Sequence, residues 1–229
     1  MTLYFEEKTE IQPGVWTFEF RTDEPLTWQA GQYLHYTLKH PNPDDRAEDR
    51  YFTISSPPYE GKVQFTTRKA SEQSSSFKQA LFGLNKGDAI EAEPPSGKFV
   101  WREGDLEHVL VSGGIGITPF RSMLLQLDHE GKQINADLLY SNRDDHLIFG
   151  ALLDELSAKH PDLRLHKYIG QEITKDDLAE YTKKPNAVFY LSGPKSMVES
   201  FVAQLLEMGV LDENILKDKF PGYSGLANA

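Results

Sequence analysis

Residues 113–119 read Gly-Gly-Ile-Gly-Ile-Thr-Pro. Glycines turn tightly and carry no side chain, so such a run lets backbone N–H groups close on an anion such as a phosphate. The apolar run His108–Val111 precedes it, and the helix-like stretch Phe120–Leu127 comes after it. A strand, a tight turn and a helix start in that order aim the positive end of a helix dipole at the contents of the turn. Pro119 suits the first helical turn, where its missing N–H is no loss. The spacing Gly114-x-Gly116-x-x-Pro119 lacks the third glycine of the common dinucleotide fingerprint, and no Gly-Lys-Ser/Thr makes it a P-loop. Nucleotide binding is the chemistry this segment predicts.

The first half holds a second set of chemically able residues. Arg50 offers a planar guanidinium fork matched to paired phosphates. Phe52 offers a flat apolar face, and the Thr53 hydroxyl both donates and accepts. Ser74, Ser75 and Ser76 open the helix-like piece Ser76–Leu81, where hydroxyl and N–H groups can hold a phosphate, cap the helix, or do both. Each has a plainer reading as well: a surface-strand arginine after the acidic run 44–49, a core aromatic, a strand threonine.

Two kinds of element must position these residues. From residue 1 to about 102, short alternating or aromatic runs (15–20, 33–38, 51–54, 62–66) are broken by Pro13-Gly14, Ala30-Gly31, Pro41-Asn42-Pro43, Pro57-Pro58 and Lys86-Gly87-Asp88. That is the punctuation of an antiparallel β-barrel or sandwich. From about 106, apolar strands (108–111, 136–140, 163–168, 187–191) alternate with amphipathic helices (119–129, 149–159, 175–181, 195–208), which implies an α/β domain with a parallel sheet. The boundary falls near Arg102–Asp105, giving domains 1–103 and 104–229.

Composition narrows the chemistry. The 229 residues carry a formal net charge of -11, which argues against nucleic acid and an anionic membrane surface as partners. With no cysteine, the chain bears no disulfide, thiolate zinc site, cysteine nucleophile or Cys-ligated iron–sulfur cluster. The seven histidines show no His-x-x-x-His or His-Glu-x-x-His spacing, so no metal site is expected. Ser192-Gly193-Pro194-Lys195 matches Ser-x-x-Lys only formally, and no Gly-x-Ser-x-Gly elbow occurs. No apolar stretch approaches the roughly 20 residues that span a bilayer, and no signal-like start is present, so a cytoplasmic protein without membrane insertion is expected.

The order barrel, then nucleotide-binding α/β domain, brings a resemblance into view. Arg50-Tyr51-Phe52-Thr53-Ile54-Ser55-Ser56 resembles the Arg-x-aromatic-Ser/Thr-x-x-Ser flavin motif of the ferredoxin–NADP reductase-like flavoproteins. Ala30-Gly31-Gln32-Tyr33, the segment 75–81 with Lys86-Gly87-Asp88, Pro95-Ser96-Gly97-Lys98-Phe99 and Gly114–Pro119 resemble further motifs of that family in the same order. Tyr140-Ser141-Asn142-Arg143 and Leu191-Ser192-Gly193-Pro194 come next, in their places.

The resemblance implies a flavin-dependent NAD(P)H oxidoreductase with FAD as cofactor and NAD(P)H as co-substrate. FAD is favoured over FMN because both Arg50 and Ser74–Ser76 are available to a second phosphate. It implies that Arg50, Tyr51, Phe52, Thr53 and Ser74–Ser76 bind flavin, with Thr53 at its reacting edge. Gly114, Gly116, Thr118, Pro119, Ser141, Arg143, Gly193 and Pro194 would bind pyridine nucleotide. Ser192 stands where many relatives have a cysteine near the nicotinamide, and Phe220, in the segment Phe220-Pro221-Gly222-Tyr223, would cover the other flavin face or simply pack. Arg143 with Ser141 suits a 2′-phosphate, but Asp144 and Asp145 would repel one. Electrons would pass to a separate acceptor: a ferredoxin, a flavodoxin, an oxygenase component or free flavin. The alternatives are an electron-transfer subunit or flavin-binding module without turnover of its own, and a nucleotide-binding enzyme with an unrelated barrel.

Overall fold

The computed structural model describes residues 1–45, 47–69 and 74–220, and the chain forms two compact units that part between Val100 and Trp101. Trp101 belongs to the second unit because its ring stacks on His108, centroids 3.7 Å apart. The next residue is clamped too: the Arg102 N–H donates to Tyr190 Oη at 2.9 Å, and its carbonyl lies 2.9 Å from His108 Nε2.

The first unit contains β1 (Thr2–Gln12), β2 (Val15–Thr22), β3 (Tyr33–Thr37), β4 (Asp49–Thr53), β5 (Val63–Arg68), α1 (Ser76–Phe82) and β6 (Ala89–Ala92). The strands make one antiparallel sheet in the order β4-β3-β6-β1-β2-β5. Its two margins, β4 and β5, are stitched together just past β4. The Ser55 N–H donates to the Gln64 carbonyl at 2.7 Å; Ser56 Oγ donates to the Lys62 carbonyl at 2.7 Å and accepts from the Gln64 N–H at 3.0 Å. Inside, Phe65 lies between other rings, stacked by Phe52 at 4.3 Å and Phe18 at 5.4 Å, with Phe77 of α1 tilted against Phe52. Such pairs add about 0.5–1.5 kcal/mol each beyond the area they bury.

The second unit contains β7 (Glu107–Gly113), α2 (Thr118–His129), β8 (Ala136–Asn142), α3 (Gly150–Lys159), β9 (Leu163–Ile169), α4 (Lys175–Ala179), β10 (Ala187–Pro194), α5 (Lys195–Glu207) and β11 (Ile215–Phe220). All pairs are parallel, in the order β11-β10-β7-β8-β9. One face packs Val109, Val111, Leu139, Phe189 and Leu191 against Val198, Phe201 and Leu205 of α5.

Three strands leave little trace in the sequence. In β1 only Leu3 and Phe5 are fully buried, and the remainder is mostly charged or polar; β6 is four residues long. β11 reads as a tail, yet Phe220 is its last residue and pairs with Pro194; Pro221–Tyr223 lie outside the described residues. Among the described residues no helix is long and apolar enough to cross a membrane.

If Ser56 closes the sheet, Ser56→Ala leaves the Gln64 N–H and the Lys62 carbonyl short of a buried partner, a loss of about 2–3 kcal/mol. Urea unfolding should show the drop; an unmoved midpoint would mean that the margins hold without this hydroxyl.

Candidate functional site

In the second unit the chain runs from β7 outward through β8 to β9, then crosses to the other side of β7 for β10 and β11. The carboxyl ends of β7 and β10 therefore face crossovers that leave in opposite directions, the place where open parallel sheets bind ligands. The glycine run lies there: β7 ends at Gly113, a short 3₁₀ turn spans Gly114–Ile117, and α2 begins at Thr118-Pro119, both buried. Gly114 takes the left-handed φ of +55° that favours glycine.

The turn is pressed against the end of β10. A Cβ on Gly116 would stand 2.2 Å from the Ser192 carbonyl oxygen and 2.9 Å from Gly193 Cα; one on Gly113 would stand 2.5 Å from Met197 Sδ. Gly193, at φ +153°, is equally cramped, 2.6 Å from Met197 Cε. The room that Gly116 leaves is thus filled by the protein's own backbone, a reason for glycine that the sequence does not disclose.

Ser192 is fully buried, and its Oγ donates to Asp218 Oδ2 of β11 at 3.2 Å. Beside it in register on β7, the Ser112 hydroxyl is also fully buried and has no partner among the described residues. An unmet buried hydroxyl costs about 1–3 kcal/mol, and its place at the strand ends fits a site that a polar ligand completes.

The neighbouring loop is tied to the turn by Tyr140, buried at the end of β8. Its Oη accepts from the Ile148 N–H at 3.1 Å and lies 3.2 Å from the Gly114 carbonyl. Phe149 comes next in a left-handed conformation, φ +60°, unusual for so bulky a residue and found where structure is held for function. The Arg121 guanidinium of α2 lies over its ring, 5.2 Å from the centroid. Neither residue carries a signal in the sequence. Ser141 is half-buried and Arg143 exposed. Asp144, expected to repel a phosphate, spends Oδ1 on Asn142 Nδ2 at 3.0 Å and on the His146 N–H at 3.0 Å.

In the first unit β4 divides its residues between two faces, as strand alternation requires. Arg50 and Phe52 share one face: the guanidinium sits 5.3 Å from the Phe77 centroid, and Phe52 lies on Phe65. Tyr51 is on the other, 56% exposed, stacked flat on His35 at 4.1 Å and meeting Tyr33 edge-on. Thr53 is buried at the strand's end. Ser75 caps α1 by accepting from the Lys78 N–H; the Ser76 hydroxyl accepts from the Asp44 N–H, and its own N–H donates to Asp44 Oδ2 at 2.9 Å. The Ser74 carbonyl accepts from Gln79 Nε2.

Lys78, which carries no signal in the sequence, packs its ammonium against the Arg68 carbonyl at 2.5 Å. Burial, then the charges of Arg50 and Arg68, push it down to about 8. Arg50 Nη1 donates to the Ala47 carbonyl at 3.2 Å and to the Asp49 carbonyl, which holds a guanidinium at this face of β4, the kind of group that suits a pyrophosphate.

Residues 2–101 match the family model of the oxidoreductase FAD-binding domain, and residues 110–203 that of the oxidoreductase NAD-binding domain. The chain belongs to the ferredoxin–NADP reductase-like oxidoreductases. Its cofactors are accordingly FAD and a nicotinamide nucleotide. Among relatives of this reductase-like chain is a subunit of the Na(+)-translocating NADH-quinone reductase of Neisseria meningitidis. It is 27% identical over 223 residues, covering 85% of this chain and 54% of that protein. The chain spans about half the length of the curated relatives it matches. In fold it is similar to the cytochrome b5 reductase domain of Ulva prolifera nitrate reductase (TM-score 0.79, 20% identity, 96% of each chain covered). It is also similar to a ferredoxin NADP+ reductase of Neisseria gonorrhoeae solved with bound FAD and NADP (TM-score 0.74, 18% identity, 96% of this chain and 98% of that one).

Gly116→Ala must drive a methyl group into the Ser192 carbonyl, so the turn and β10 have to part. We expect a loss of at least about 1–3 kcal/mol in thermal unfolding together with weakened nicotinamide-nucleotide binding. Wild-type stability in that variant would show that the approach is not tight.

Proposed function

We propose that this chain oxidises NAD(P)H through bound FAD and delivers the electrons to a separate acceptor. The observation that supports this most is the glycine turn abutting β10 at the switch point of a sheet that comes after an FAD-binding domain in the chain. FAD accepts two electrons with a hydride and releases them singly or in pairs.

The protein's own residues divide the work in this reading. Gly114, Gly116, Thr118 and Pro119 hold the nucleotide's phosphates at the start of α2, with Gly193 and Pro194 opposite. Ser141, Arg143 and the Arg121–Phe149 stack meet its adenosine half. Arg50, with Ser74–Ser76, serves the flavin's phosphates, and Phe52, on the same face of β4 as Arg50, meets the flavin ring, whereas Tyr51 lies on the opposite face against His35. The Thr53 hydroxyl sits at the reacting edge, where a group that donates or accepts suits a nitrogen that changes protonation. Ser192, bonded to Asp218, keeps a small polar group where relatives use a thiol.

Having no cysteine, the chain holds no Cys-ligated iron–sulfur cluster of its own to receive electrons. Ferredoxin, flavodoxin, an oxygenase component and free flavin are the acceptor classes, and the net charge of -11 disfavours an acidic ferredoxin, because like charges slow encounter. The likeness to one subunit of a larger reductase supports a second reading, an electron-transfer module without turnover of its own.

Rapid mixing of flavin-loaded protein with NADH or NADPH under argon separates these readings. Bleaching of the flavin by either nucleotide supports the reductase; no bleaching by both supports the module. Thr53→Ala should slow bleaching about tenfold with flavin content intact, the worth of one lost hydrogen bond of about 1.4 kcal/mol. Phe149→Ala should instead weaken nucleotide affinity about three- to tenfold and leave the saturated rate unchanged, as loss of one stacking contact would.

A further inference from the structure

The chain has no cysteine, so the side chains that a peroxide oxidises most readily, and reversibly, are its four methionines. Met1 is 42% exposed ahead of β1, Met123 is fully buried in α2, and Met208 lies just past the end of α5. Met197 differs in what it touches. It stands in the first turn of α5, half-buried, with its thioether laid between the ends of two neighbouring strands. Sδ lies 2.5 Å from the point that a Cβ on Gly113 would take, and Cε lies 2.6 Å from the corresponding point on Gly193. Pro194 Cδ borders the same gap, 3.2 Å from the Gly113 point. The thioether thus uses the side-chain space of two glycines, one from β7 and one from β10, while the residue also packs on the apolar cluster between α5 and the sheet. A flexible, unbranched, apolar chain suits so irregular a gap.

We infer that Met197 is an oxidation site through which hydrogen peroxide weakens nucleotide binding, because its sulfoxide does not fit between Gly113 and Gly193. This rests on the reading of the turn after β7 as the nicotinamide-nucleotide site, and it adds a regulation to that site. The step is an oxygen transfer. The sulfur lone pair attacks one peroxide oxygen, the O–O bond breaks, and the other oxygen leaves as water; sulfur gives up two electrons and the peroxide takes them. The product is polar and chiral where the thioether was apolar. Its oxygen enters a gap bordered by glycine backbone, a proline ring without an N–H, and apolar side chains. A buried acceptor with no donor is costly, so the gap widens to let water reach it. That widening acts on the contact that fixes the turn, since Gly116 meets Ser192 and Gly193, between the two glycines that Met197 joins.

Flavin-loaded protein treated with hydrogen peroxide, cleared of it by catalase and titrated with NAD+ and NADP+ tests this, with fragment-resolved peptide mass spectrometry reporting each methionine. We expect oxygen on Met197 and an affinity about tenfold weaker for the nucleotide that untreated protein binds, with flavin content unchanged. Methionine sulfoxide reductases, one for each epimer, should restore the affinity as they restore the thioether. Met208→Leu should respond to peroxide as the wild type does. In Met197→Leu the affinity after peroxide should equal that variant's affinity before it, and Met197→Gln, polar at similar length, should bind weakly without any peroxide. A thioether that survives at 197 while Met1 and Met208 are oxidised overturns the inference. So does unchanged affinity with residue 197 oxidised, affinity that stays low once the thioether is restored, or an equal loss in Met197→Leu. Binding of neither nucleotide by untreated protein overturns the nucleotide reading as well.

Discussion

The second unit is organised around one contact between two stretches of backbone. The turn after β7 and the last residues of β10 approach so closely that a single methyl group on Gly116 would lie within 2.2 Å of a carbonyl oxygen. Parallel strands alone would bring these ends only to ordinary sheet spacing. Gly113, Gly116 and Gly193 carry the turn nearer, and Met197 at the start of α5 fills the remaining gap. What this fixes is the start of α2, and with it the direction of the helix dipole that an anion would meet. Tyr140 extends the constraint to the next loop, so that the Gly114 carbonyl and Ile148, the residue before the left-handed Phe149, share one anchor.

The first unit solves a different problem, that of closing a small sheet around aromatic rings. Serines at 55 and 56 tie the margins, and the face of β4 that carries Arg50 and Phe52 then lies against α1. The last serine of the flavin-like motif thus has a structural use in the described contacts, bonding to Lys62 and Gln64.

Legibility in the sequence depends on how much each residue's type constrains its place. Alternating β7–β10 and α2–α5 are plain, because β7, β8 and β10 are buried and largely apolar and the helices between them amphipathic, while the edge strand β9 buries only Leu163 and is read from its place in the alternation. The edge strand β11 is not: Lys217 and Lys219 point to solvent, the usual protection of an exposed edge, and so read as tail. β1 hides for a like reason, with glutamates and threonines outnumbering its two buried anchors. Among candidate site residues, the glycines announce themselves through their spacing, though one of their reasons, backbone against backbone, needs the fold. Phe149 and Asp218 cannot be read, since each matters through a partner on another element, Arg121 of α2 and Ser192 of β10. Tyr51 beside Phe52 illustrates the limit in one dipeptide, for alternation sends the two rings to opposite faces of β4.

In the proposed function the turn at 113–119 and the end of β10 together receive a nicotinamide nucleotide. Amide-resolved NMR of the ¹⁵N-labelled protein, titrated with NAD+ and with NADP+, tests it most directly. The largest and saturable shifts should fall on Gly114–Thr118, Gly193 and Lys195, with smaller ones on Arg143 and Phe149. Shifts confined to other strands, or none at millimolar nucleotide, would contradict it.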